Sequence, residues 1–122
     1  MVDLVAIRRL AGTLPEVEVH EAGQAYASIG GKGLCWAYMA REKPKTPRVE
    51  VPGVVAIRCL METRDMLLEA APDRFFTDDH YRGFPAVLAR IDRMDEAEMD
   101  GLLRGAWRVL APKTLLKRHP EV

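Results

Sequence analysis

Neither sign of charge is in excess: 18 basic residues balance 18 acidic ones. No global field therefore marks a nucleic-acid or anionic-membrane partner, and such binding would need a local patch. The only cysteines, Cys35 and Cys59, lie in apolar, strand-like contexts without paired zinc-ligand spacing; buried, reduced thiols are expected. Charges break every apolar run well short of the roughly 18 residues of a membrane span. The first residues carry Asp3 and the pair Arg8–Arg9 in place of a basic and then apolar leader, so a cytoplasmic protein off the membrane is expected. Ser28 is the single serine, and its neighbours Tyr26 and Gly30 supply only one of the two glycines of a nucleophile elbow. Gly30-Gly31-Lys32-Gly33 falls short of a phosphate loop, with Tyr26 where glycine is required and Gly33 where serine or threonine is. His20-Glu21 opens a zinc-protease pattern whose second histidine would fall on Gln24. No catalytic residue, metal ligand or cofactor site is expected.

What is present is ordinary globular material. Of the 122 residues, 48% are hydrophobic and 30% charged, which suits one folded domain over residues 1–122. Leu4, Ile7, Leu10, Ala11 and Leu14 recur at helical spacing behind Asp3 and ahead of Pro15. Residues 17–21, 24–29 and 32–39 read as a meander of strands, with Gly30–Gly31 supplying the positive φ of a two-residue hairpin turn. Residues 40–53 hold three prolines and four basic residues and read as a long solvated connection. A fourth strand is predicted over 54–60, a helix from Thr63 to the Ala70–Ala71–Pro72 stop, and a fifth strand over 84–91. Asp95 with Glu98 then caps a helix bearing the stripe Met99, Leu102, Leu103, Ala106 and Leu110. Strands run consecutively with helices at both ends. The fold class is therefore α+β, an antiparallel sheet of about five strands flanked by helices.

Two clusters of polar residues stand out. Asp78, Asp79, His80, Tyr81 and Arg82 set an imidazole among carboxylates, but a polar turn with Tyr81 half buried and Arg82 paired to an aspartate is the plainer reading. Arg41, Lys43, Lys45 and Arg48 against Glu42 make the long loop locally basic. Trp36 and Trp107 occupy alternating and helical positions and are expected in the core.

From residue 75 onward the chain resembles the C-terminal half of the MmcQ/YjbR family. The residues that carry the likeness are Phe75-Phe76, His80-Tyr81-Arg82-Gly83, the strand Pro85 to Ile91, Ala106-Trp107-Arg108 and Ala111-Pro112-Lys113. Helix one and Gly31-Lys32 support it. The middle departs from the family, with Ala25 and Tyr26 in place of its proline and phenylalanine, and a longer, more basic stretch from Pro44 to Pro52. The resemblance implies a CyaY-like fold and binding to double-stranded DNA through a double-wing arrangement of loops. Phosphates would then be contacted by Lys32, Arg41, Lys43, Lys45, Arg48, Lys113, Lys117 and Arg118. The alternative is a protein or small-ligand interaction domain, not an enzyme, with a polar site around Asp78 to Arg82.

Overall fold

The computed structural model describes residues 2–122. Helix α1 (Leu4–Gly12) is followed by strands β1 (Glu18–Val19), β2 (Ala25–Ile29), β3 (Lys32–Ala40) and β4 (Val49–Arg58), then by helix α2 (Met61–Ala70), strands β5 (Phe75–Phe76) and β6 (Ala86–Arg90), and helices α3 (Glu96–Leu110) and α4 (Lys113–Arg118). The strands form one antiparallel six-stranded sheet in the order β1-β2-β3-β4-β6-β5. This is the expected α+β class, with one more strand and one more helix than the sequence pattern suggests.

Local chemistry accounts for the element ends. Asp3 accepts a hydrogen bond from the Ala6 amide at 2.8 Å and caps α1, while Asp95 does the same for the Glu98 amide at 2.8 Å on α3. Gly30 and Gly31 take φ of 57° and 77°, closing the β2–β3 hairpin over the Ile29–Lys32 pair.

The 40–53 segment departs from expectation. Only its first part is a loop, because β4 begins at Val49 and runs through Pro52. A bulge makes room for the proline: between the pairs Ala37–Val55 and Met39–Glu50 the register shifts, and pairing with β6 begins only at Val54. Pro52 therefore owes neither neighbour an amide hydrogen, and Gly53 takes the positive φ of 79° at the bend. Phe75–Phe76 escapes a pattern search because a two-residue edge strand shows no alternation.

Helices α1 and α3 cover one face of the sheet. Between helices and sheet, Ile7, Leu34, Ile57, Val87, Met99 and Leu103 are almost wholly buried. Trp107 is 0% exposed, as the helical stripe predicts, and its indole Nε1–H donates to the Pro15 carbonyl at 2.9 Å. Cys35 and Cys59 are buried free thiols. The opposite face of the sheet has no helix over its centre; Tyr38, Ala56, Ala86 and Leu88 form a second, smaller cluster there, closed by Tyr81.

Replacing Trp107 with alanine removes the largest fully buried side chain and strands the Pro15 carbonyl. Trp107→Ala should cost about 3 to 5 kcal/mol, read as a lowered urea midpoint at unchanged slope. An unchanged midpoint would contradict the packing described.

Candidate functional site

The outer face of the sheet is shaped by one crossing segment, residues 77–85, held at several points. Asp78 caps a short 3-10 turn, Asp79–Tyr81, by accepting from the Tyr81 amide at 3.0 Å, and its second oxygen accepts the Tyr38 hydroxyl. Trp36 Nε1–H donates to the Tyr81 hydroxyl at 3.0 Å. From beneath, Arg64 of α2 donates through Nη1 to the carbonyls of Tyr81 at 3.0 Å and Arg82 at 2.9 Å. Arg64 is only 8% exposed, and a buried guanidinium is tolerated because these two carbonyls, with Asp65 at 3.2 Å, take up most of its N–H groups. The turn does pair Arg82 with Asp79 at 2.7 Å, but Tyr81 is 6% exposed, buried more deeply than the half-buried position expected. Burial, reinforced by the hydrogen bond to Asp78, pushes the Tyr38 hydroxyl up to about 12.

Between this segment and the β2–β3–β4 surface lies a groove with a volume of about 580 Å³. Gly33, Trp36 and Arg58 line it from the sheet, Gln24 and Ala25 close one side, and His80, Tyr81 and Phe84 the other. Phe84 meets Trp36 edge to face with ring centres 5.9 Å apart, and Tyr81 likewise at 6.0 Å. Arg58 lies over both Trp36, at 5.3 Å from the ring centre, and Phe84, at 5.0 Å. Its Nε–H donates to the Gly33 carbonyl at 3.3 Å. Among the described residues no carboxylate pairs with Arg58 and none lines the groove. Burial lowers the Arg58 pKa from its ordinary value, yet a guanidinium keeps its charge in proteins. At Gly33 the sheet packs closely under the indole: a Cβ there would stand 3.1 Å from Trp36 Cε3, and the ring would have to give by a few tenths of an ångström.

The cations expected from the sequence fall into two groups. Lys32 shares a shallow hollow with Pro112 and Leu115 beside the start of α4, which carries Lys113, Lys117 and Arg118; Arg118 is paired with Glu16 at 3.0 Å. Arg41, Lys43, Lys45 and Arg48 belong to the β3–β4 connection at the other end of β3, where Arg48 donates to the Met39 carbonyl at 3.2 Å. A nine-residue strand spans about 30 Å, so these groups do not meet. Of the His80-Tyr81-Arg82-Gly83 motif, His80 and Tyr81 face the groove, while Arg82 and Gly83 are exposed outside its lining. Pattern reading missed Arg58 and Phe84 as site residues. The available signal was a lone arginine closing an apolar strand.

His20 Nε2, just past the end of β1, and Ser28 Oγ on β2 lie 2.7 Å apart, a contact that the elbow pattern does not anticipate, but neither lines the groove. Among the described residues no group of three or more histidines, cysteines or acids could hold a metal ion, and no helix is long and apolar enough to cross a membrane.

No family model matches the chain, and neither does any solved structure. It is similar to uncharacterized proteins of Mycobacterium bovis and Mycobacterium tuberculosis, each 28% identical over 118 residues, covering 91% of this chain and 90% of the relative.

Tyr38, Cys35 and Cys59 all hold their protons more tightly folded than unfolded, with values pushed up to about 12, 12 and 11 from ordinary values of 10.0, 9.0 and 9.0. Stability that depends on the neutral forms is thus intact below the ordinary values and lost as pH rises through the folded ones. Urea midpoints should be level up to about pH 9 and fall from there to about pH 12. In Asp78→Ala the Tyr38 titration, followed by phenolate absorbance, should move down toward its ordinary value; an unmoved titration would remove Asp78 from the account.

Proposed function

We propose that this chain is a ligand-binding domain that takes a small, largely apolar organic molecule in the groove on the outer face of its sheet. The observation that carries this reading is the preformed concavity itself. Its aromatic walls are fixed by hydrogen bonds to a pinned loop, and a few polar groups converge on it: Arg58, the Tyr81 hydroxyl and His80. A mostly apolar pocket with few well-placed polar groups is the usual form of a small-molecule site. The reading is of binding, not turnover, because the lining holds no carboxylate, serine, threonine or cysteine to accompany His80.

A second reading, duplex DNA binding of the MmcQ/YjbR type, is favoured by a different observation. Among the described residues Arg41, Lys43 and Lys45 are exposed and make no ion pair. Against it stands the separation of these cations from Lys32 and α4, which lie at the other end of β3.

Amide and indole NMR spectra separate the two. A library of small organic fragments should shift the Trp36 indole and the Phe84 and His80 amides, leave the core Trp107 indole unmoved, and lose its hits in Trp36→Ala. Fragment hits that leave those groove signals still, together with short duplex DNA at low salt shifting residues 41–48, would replace the groove reading with the DNA reading.

A further inference from the structure

We infer that the groove selects an aryl monocarboxylate, held by a two-pronged contact with the end of the Arg58 guanidinium. This rests on the groove reading above and names the chemistry that the groove would recognise.

The guanidinium is held in a way that leaves it one available direction. Trp36 and Phe84 lie against it at 5.3 and 5.0 Å, and Nε–H is occupied by the Gly33 carbonyl at 3.3 Å. What remains are the two terminal nitrogens, which make no hydrogen bond within the protein among the described residues. Side by side they present parallel N–H groups that match the two oxygens of a carboxylate. A half-buried cation with no carboxylate of its own is under-compensated, and an incoming anion supplies what is missing.

The Tyr81 hydroxyl adds a donor. Tyr81 is 6% exposed, and its oxygen already accepts the Trp36 indole proton at 3.0 Å. Its own proton has no acceptor among the described residues and is free for an oxygen of the bound molecule. No acid lines the groove to repel that oxygen.

Charge decides between carboxylate and phosphate. Arg58 is the single permanent cation in the lining. One guanidinium neutralises a monoanion. A phosphate monoester, near two negative charges at neutral pH, would be left half uncompensated in an aromatic surround. The rest of the molecule meets Ala25, Trp36, Phe84 and Tyr81, surfaces that favour a flat ring in stacked or edge-on contact, and about 580 Å³ leaves room for two fused rings.

Three probes with one ring system test this on the whole chain: 2-naphthoate, 2-naphthamide and 2-naphthyl phosphate, titrated by calorimetry at neutral pH. The acid should bind at least about tenfold more tightly than the amide and the phosphate. Arg58→Lys keeps a charge but loses the fork, so the preference for acid over amide should shrink toward unity, with a parallel urea melt showing that the variant is folded. Equal affinity for acid and amide in the parent overturns the carboxylate assignment while leaving the groove as a binding site. Tighter binding of the phosphate transfers the assignment to phosphate and overturns ours. If none of the three binds at millimolar concentration while fragments still move Trp36, the aryl carboxylate class alone falls; if fragments fail as well, the groove reading falls with it.

Discussion

Arg64 reaches from α2 to the backbone of the 77–85 segment, and the outer face of the sheet depends on that contact. Its guanidinium donates to the Arg82 carbonyl, which the 3-10 turn does not satisfy, and to the Tyr81 carbonyl, which also accepts the Phe84 amide at 3.0 Å. With the backbone fixed there, Tyr81 packs into one cluster with Ala56, Ala86 and Leu88, and its hydroxyl accepts from Trp36. Asp78 holds the other end by serving both the Tyr81 amide and the Tyr38 hydroxyl. Removing Arg64 would leave the Arg82 carbonyl unpaired and the Tyr81 carbonyl with the Phe84 amide alone, a larger loss than the ion pair with largely exposed Asp65 suggests.

The two tryptophans illustrate how far sequence periodicity reaches. Both sit at positions that pattern alone assigns to a core, and for Trp107 this is the outcome: it is sealed between α3 and the sheet and bonded to a backbone carbonyl. Trp36 also alternates correctly along β3, but its side chain goes to the face that no helix covers. Alternation identifies two faces of a strand without saying which of them a helix will cover. The stripe of α3, the caps at Asp3 and Asp95 and the Gly30–Gly31 turn were legible because each is decided by a few consecutive residues. The extension of β4 through Pro52 was not, because it depends on β3 and β6 both withholding a partner at that one residue.

The candidate site was half legible for the same reason. The Asp78–Arg82 cluster announces itself by composition, and the polar turn expected of it is present. Its partners come from β3, β4 and α2, which are brought to it only by the insertion of β6 between β4 and β5. That insertion carries the segment between β5 and β6 across the outer face, over the Trp36 and Arg58 side chains. The conspicuous charges of the 41–48 loop lie at the far end of β3 and take no part in it.

A groove assembled this way is formed before anything enters it. Swinging the 77–85 segment aside would break the Arg64 contacts to two carbonyls, the Tyr38–Asp78 bond and the Trp36–Tyr81 bond together, and would expose the aromatic cluster beneath. Each such bond contributes only about 0.5 to 1.5 kcal/mol net, and those to charged groups somewhat more, but they are lost in one event and so act jointly on a single loop. Arg58 is likewise aimed in advance by Gly33, Trp36 and Phe84. For the binding proposed above, little ordering would then remain to oppose association, and contact free energy would go into affinity with small loss to rearrangement. On the groove reading proposed above, a molecule that needed the 77–85 segment to move would have to break those same contacts to enter.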